Sequence, residues 1–391
     1  MKSLTFTKGK EAEVHVCFIS HTAGMGGAER VLLEAARALK NERCKVFTIL
    51  PSSGPLQDRL KELGVETSIC QYKWWAGRRS SFKRLRKNLG SLLSALVIGR
   101  QIKRWGCDVV ITNTIVVPSG ALAAWLLRKP HIWYIHEFGD LDHGLIFHLG
   151  LKTTAWLIWK LSDCVIFNSQ ATYEHFRGSM PENRMRSIYC AAHVPASLDQ
   201  SHNSVFSAGK SLTCLILGAV TEAKGQEDAI RAVGELASKG YSCELVIAGL
   251  GIKKYQLFLE SLIKEYDISD RVRFVGFVDP PFPVIQQSDV LLMCSRCEAF
   301  GCVTVEAMKL GKPVIGTASG GTKELIVEGF NGFLYPVGDY RALAGKIQFF
   351  IEKKEKLLEM GQNARNWANE RFNLEKYGKD LMAVIKSAVQ H

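Results

Sequence analysis

Two carboxylates eight positions apart, Glu298 and Glu306, flank the turn Ala299-Phe300-Gly301-Cys302-Val303. Read by themselves, two glutamates at this spacing are more often solvated charges at a helix end than ligand contacts. The apolar run 289–293 precedes the pair and reads as a buried strand, while 303–310 has helix-forming composition closed by Gly311 and Pro313. The amides of that helix's first turn have no intrahelical partner. Together with the helix dipole they favour a phosphate or a polar sugar group.

Six further segments carry candidate chemistry. Strand-like residues 15–19 lead into a small-residue loop with Gly24, Gly26, Gly27 and Glu29, then a helix through Leu39. Such a loop lets the backbone approach a diphosphate closely, although it does not match the dinucleotide pattern G-x-G-x-x-G. Residues 132–135 end in His136 and Glu137, at a strand end where parallel sheets place ligands. Lys224 stands in the loop 218–225 between a strand at 212–217 and a helix at 226–239. Its ammonium would stabilise a departing diphosphate. Strands at 244–248 and 272–275 end in Gly249 and Gly251, and in Gly276, Phe277 and Val278. Gly320, Gly321 and Thr322 make another turn into a helix. Taken singly, each glycine turn is explained by turn chemistry, and each lone Lys or His by solvation or packing. Asp140 and Asp142 form a D-x-D that is too short to assign a metal, and none is expected.

In this order the segments resemble the retaining, nucleotide-sugar-dependent glycosyltransferases of the GT-B fold, in particular glycosyltransferase family 4. The resemblance covers roughly residues 14–385 and is most specific in the carboxyl half. It implies that Glu298 contacts hydroxyls of the transferred sugar and that Glu306 accepts hydrogen bonds from the ribose. The loop amides at Phe300, Gly301, Cys302 and Val303 would face the sugar and phosphate. His136 would lie against the donor sugar, and Gly26 and Gly27 would border the cleft. Lys224 would neutralise the diphosphate, with Gly249, Gly251, Phe277 and Val278 near the diphosphate and base. The family commonly pairs this lysine with an arginine about five residues earlier, where this chain has Ala219; Arg271 and Arg273 are the cations considered as compensation.

The elements that must hold these residues alternate strand and helix along 391 residues, enough for two domains with parallel sheets. The expected architecture is α/β, two Rossmann-like domains facing across a cleft. Residues 1–195 would form the acceptor-side domain, joined by a crossing helix at 374–391. Residues 205–373 would form the nucleotide-sugar domain, with the polar stretch 195–204 as linker.

Eleven scattered cysteines, without a signal-peptide pattern at the start, suit a reducing cytosol better than a disulfide scaffold. No apolar run reaches the roughly 18 residues of a spanning helix. The net charge is +12, and residues 71–105 hold ten basic residues and no acidic one: Lys73, Arg78, Arg79, Lys83, Arg84, Arg86, Lys87, Arg100, Lys103 and Arg104. Trp74, Trp75, Leu92, Leu93, Leu96, Val97 and Ile98 add an apolar component, so the segment reads as a surface for anionic lipid. No nucleic-acid motif accompanies the charge. The expectation is a cytoplasmic glycosyltransferase, peripheral at the inner face of the membrane. It would move a sugar from a nucleoside-diphosphate donor to a hydroxyl acceptor, lipid-linked or within a growing glycan, without a cofactor. A nonenzymatic nucleotide- or glycan-binding protein and a paired-carboxylate glycoside hydrolase remain as rivals.

Overall fold

The structure is a computed structural model that describes residues 13–77, 88–147, 149–195, 198 and 211–390. Its strands gather into two parallel sheets. The amino-terminal half supplies β1 (His15–Ile19), β2 (Lys45–Leu50), β3 (Glu66–Ile69), β4 (Ala76–Gly77), β5 (Val109–Asn113), β6 (His131–Ile135), β7 (Ile146–Phe147), β8 (Cys164–Phe167) and β9 (Met185–Ser187). Seven of these align as β3-β2-β1-β5-β6-β8-β9, while β4 and β7 form a short antiparallel ribbon. The carboxyl-terminal half supplies β10 (Leu212–Leu217), β11 (Cys243–Ala248), β12 (Val272–Gly276), β13 (Val290–Met293), β14 (Val314–Thr317) and β15 (Gly332–Tyr335), in the order β12-β11-β10-β13-β14-β15.

Central strands such as β5 and β13 are buried along their whole length, as they must be when helices cover both faces of a parallel sheet. The strand order reverses between β1 and β5 in one sheet and between β10 and β13 in the other. Ligands bind outside the carboxyl ends of strands at such reversals. The loops there carry Gly26 and Gly27 on one side, and Lys224 and Glu298 on the other.

The helix Leu374–Gln390 packs on the amino-terminal half. The Tyr377 hydroxyl lies 3.0 Å from that of Tyr134, and the Met382 sulfur 3.2 Å from Cys44 Sγ. A continuous apolar core runs from Phe18 and Leu32 through Tyr377 and Leu381 to Met293, Phe300 and Val305. The two sheets therefore share one core across the cleft floor. Truncating Leu381 within it should cost about 2–5 kcal/mol. Polar contacts cross as well. Glu324 accepts the amides of Gln170 (2.9 Å) and Ala171 (2.6 Å) and the Tyr189 hydroxyl (2.7 Å), and Arg30 donates to Asp279 at 2.9 Å.

Three expectations change. Trp75 does not belong to a surface: it stacks on Trp133 at 5.6 Å and donates its indole N–H to the Ile115 carbonyl. Ile98 is likewise in the core, because its position on the helix Asn88–Trp105 faces the sheet. Arg78, Arg79, Lys83, Arg84, Arg86 and Lys87 lie outside the described residues, as does most of the stretch 195–204. The helix after Glu298 spans Cys302–Lys309, one residue earlier than its composition suggests, because Gly301 at φ 90° already turns the chain into it.

Candidate active site

A cleft of about 2040 Å³ opens between the carboxyl ends of the two sheets. On its carboxyl-terminal wall, Lys224 Nζ lies 2.6 Å from Glu298 Oε2, which also accepts the Ser295 hydroxyl at 2.9 Å. Burial disfavours charge on Glu298, yet the ammonium and the hydroxyl outweigh it and hold the carboxyl below its usual range. Lys224 is raised in turn: burial opposes its charge, and Glu298 more than restores it. The two residues sit at the strand reversal because Gly225, at φ 65°, closes the lysine loop against the Cys294 carbonyl, where a Cβ would clash. The Glu298 loop is pinned from the other side by the Gly321 amide, which donates to the Glu298 carbonyl at 2.7 Å.

Phe300, Gly301, Cys302 and Val303 follow on the same wall and border the cleft. One helical level deeper, Glu306 is buried, and its Oε2 has no hydrogen-bond partner among the described residues. Burial pushes its pKa up to about 7, which the Arg30 guanidinium at 3.9 Å only partly offsets. A buried carboxylate oxygen without a donor is costly, and a ligand hydroxyl would satisfy it. Gly249, Phe277 and Val278 complete this wall. Gly251 does not line the cleft, because it bridges back onto Val220, whose side chain and carbonyl leave no room for a Cβ.

The amino-terminal wall presents Gly26, Gly27 and His136. The His136 ring is buried, and Nε2 lies 2.6 Å from Asn113 Oδ1, so Nε2 carries the proton. Nδ1 is then an acceptor, and it has no partner among the described residues. Burial, with His21 adding to it, pushes the pKa down to about 3. A neutral imidazole can orient a sugar hydroxyl but cannot pair with phosphate as a cation. Beneath it, Glu137 accepts the amides of Ile115 (2.7 Å) and His136 (3.0 Å), and burial still pushes its pKa up to about 8.

Neither proposed substitute for the missing arginine reaches the cleft. Arg271 donates to the Tyr241 carbonyl, and Arg273 lies 3.9 Å from Glu244, both away from the cleft lining. Arg271 precedes β12 and Arg273 is its second residue, so both stand at the amino end of the strand, whereas the cleft opens at the carboxyl end. Among the described residues, the lysines and arginines bordering the cleft are Lys224, Lys254, Lys73 and Arg30. Sequence reasoning gave no role to Arg30, Asp279, Asn113 or Ser295. Arg30 directly follows the Gly26–Glu29 loop, so its place at the start of that helix was the available signal. Asp142 is spent on the amides of Phe138 (2.9 Å) and Gly139 (2.8 Å). Among the described residues, no group of three or more His, Cys, Asp or Glu side chains is arranged to hold a metal ion.

Two parallel sheets facing across a cleft, each with its strand reversal at the rim, are the GT-B architecture of glycosyltransferases. The family model described as "Glycosyltransferase Family 4" matches residues 25–194, and that described as "Glycosyl transferases group 1" matches residues 199–367. EpsD of Bacillus subtilis, named as a glycosyltransferase, is 34% identical over 294 residues, 70% of this chain and 76% of EpsD. N-acetyl-alpha-D-glucosaminyl L-malate synthase of Bacillus anthracis is 34% identical over 153 residues, so the alignment spans only 39% of either chain. The crystal structure of Anabaena HepE in complex with UDP superposes with a TM-score of 0.78 at 22% identity, covering 96% of this chain and 100% of that one. This chain belongs to the family 4, group 1 glycosyltransferases.

Proposed function

We propose that the protein transfers a sugar from a nucleoside-diphosphate donor to a hydroxyl acceptor with retention of configuration. The observation that carries this reading is the carboxyl-terminal wall: a half-buried Lys224–Glu298 ion pair beside a helix N-terminus, with the Glu306 oxygen that has no partner among the described residues one step further in. The spacing matches a donor laid along the wall, its ribose hydroxyls on Glu306, its diphosphate on Lys224 and the amides at Gly301 to Val303, and its sugar toward Glu298 and His136. The UDP complex of Anabaena HepE supports a nucleotide donor for this shared fold.

In the proposed reaction the bond from the anomeric carbon to the diphosphate oxygen breaks, and its electron pair leaves with the diphosphate. The acceptor oxygen bonds to the same face of that carbon, and its proton passes to the departing phosphate oxygen. Lys224 and the helix-end amides stabilise the developing negative charge before any rearrangement, which is where fixed dipoles act most strongly. Glu298 holds the lysine in place and faces the sugar, whose positive character it can offset. A glycoside hydrolase would need neither the lysine nor the phosphate-binding turn.

A lipid-linked acceptor at an anionic membrane is part of this proposal. Leu92, Leu93, Leu96 and Val97 stand exposed on the helix Asn88–Trp105, Leu93 at 67%, one turn before Arg100, Lys103 and Arg104. Trp125, 64% exposed, and Leu126 continue the apolar surface on the neighbouring helix Ser119–Leu127. Apolar groups beside cations suit adsorption to anionic lipid, and no helix among the described residues is long and apolar enough to cross a membrane. The test of the whole reading is incubation with UDP-, GDP-, ADP- and dTDP-linked hexoses. Release of the nucleoside diphosphate with an axial or equatorial product linkage matching the donor supports it. Inverted linkage removes retention, and sugar release without nucleotide dependence removes the transferase.

A further inference from the structure

We propose that His21, Glu29 and Trp74 form an acceptor subsite for a hexose ring, so that the acceptor is itself a saccharide. This rests on the transferase reading above. Glu29 is buried at the start of the helix Gly27–Asn41 and accepts the Thr22 hydroxyl, while His21 Nδ1 lies 3.2 Å from the same carboxylate oxygen. Nδ1 is buried and makes no hydrogen bond in this geometry, and no partner of Nε2 is found among the described residues, so a ligand hydroxyl would satisfy the ring. Burial lowers the pKa of His21, Glu29 opposes that and nearby His143 adds to it, so the ring presents a lone pair rather than a charge.

Trp74 stands beside this pair. Its indole N–H donates to the His21 carbonyl at 3.2 Å, and its ring centroid is 5.6 Å from the imidazole. Yet 44% of the residue is exposed on the cleft border. The next residue, Trp75, shows what packing does with an indole here: it is stacked on Trp133. Trp74 keeps its N–H satisfied and a broad apolar surface open, which is the requirement for receiving the apolar C–H face of a pyranose. The adjacent Nε2 can then accept one of that ring's hydroxyl protons. All three residues lie on the amino-terminal wall, across from Lys224 and Glu298.

The test uses the full chain with UDP-, GDP-, ADP- and dTDP-linked hexoses as donors. Octyl glucoside, galactoside, mannoside and N-acetylglucosaminide serve as acceptor probes, and disaccharide products are followed by mass spectrometry. The unmodified protein should glycosylate at least one octyl hexoside. Trp74→Ala and His21→Phe should each lower kcat/KM for that acceptor about tenfold or more while the donor KM stays within about twofold, since each removes contacts to one substrate only. Trp74→Phe and His21→Gln should recover part of the loss, and an unchanged melting midpoint separates these effects from misfolding. An unaltered acceptor KM and kcat/KM in both truncations, or equal losses for donor and acceptor, would overturn the subsite. Nucleotide-sugar hydrolysis by the unmodified protein without transfer to any hexoside would overturn it too, leaving the transferase standing. No nucleotide binding and no turnover at all would bring down the transferase reading, and the subsite with it.

Discussion

The two walls of the cleft handle polar groups in opposite ways. On the carboxyl-terminal wall, Lys224 and Glu298 remain ionised because each compensates the other at 2.6 Å. On the amino-terminal wall, burial keeps His136 neutral and drives the Glu137 carboxyl toward its protonated form. The difference matches two kinds of ligand. A doubly charged leaving group needs a cation held in a dry site, whereas a sugar hydroxyl needs neutral acceptors and donors. Glu306 lies between these regimes, buried like the second wall's groups yet within reach of Arg30, which belongs to that second wall.

The contrast breaks most visibly at the ion pair. Lys224→Met should lower turnover by about 100-fold or more and weaken nucleoside-diphosphate binding, because removing one electrostatic donor at a developing anion costs that much. Glu298→Gln should lower turnover by a similar factor with smaller effect on nucleotide affinity, since its partner then lacks an anchor but keeps its charge. Parallel steady-state and calorimetric measurements check both. Equal wild-type turnover in either variant would mean that the pair is only structural.

A pH experiment sharpens the boundary between the walls. The folded pKa of Glu306 is raised from 4.5 to about 7, so the folded protein binds more protons than the unfolded chain between those values. Stability from this residue is therefore present below about pH 4.5 and is lost as pH rises toward 7. Glu306→Gln should leave stability nearly unchanged at about pH 4 and raise it by up to about 3 kcal/mol at about pH 8, the cost of ionising the buried group. Urea titrations at the two pH values measure this. A variant equally destabilised at both would show that the carboxylate is satisfied in the ligand-free protein.

The carboxyl-terminal wall was more legible in the sequence than the amino-terminal wall, and the reason is physical. Lys224, Glu298 and Gly301 stand in the loops that follow β10 and β13, with Glu306 one turn into the next helix, and parallel strands deliver their carboxyl ends to one rim. Apolar runs separated by helical stretches were therefore enough to place them together. His136 was placed by the same rule. Arg30 and Asp279 are 249 positions apart and meet only because two sheets face each other, a geometry that no local pattern encodes. Trp74 and Trp75 read alike in the sequence, and only the β4–β7 ribbon decides that one turns inward. Arg271 and Arg273 failed as compensating cations because they stand at the amino end of β12, a strand's length from the rim where the cleft opens.

Smaller effects follow at the periphery. Leu93→Glu with Leu96→Glu should reduce co-sedimentation with phosphatidylglycerol vesicles, and raising salt should reduce it further in the parent through screening. Unaltered co-sedimentation would detach the exposed helix from lipid binding. Chelation is expected to have the least effect: with Lys224 and helix-end amides facing the diphosphate, turnover should persist in EDTA. Full loss that manganese or magnesium restores would contradict that assignment.

The central claim is that the carboxyl-terminal wall holds a nucleoside diphosphate between Lys224 and Glu306. Titration calorimetry of UDP, GDP, ADP and dTDP into the parent protein, Lys224→Met and Glu306→Gln tests it most directly. The account predicts that at least one nucleotide binds the parent and that each substitution weakens it about tenfold, a loss of about 1.4 kcal/mol. Binding of equal strength in all three proteins, or of none of the four nucleotides to the parent, would contradict it.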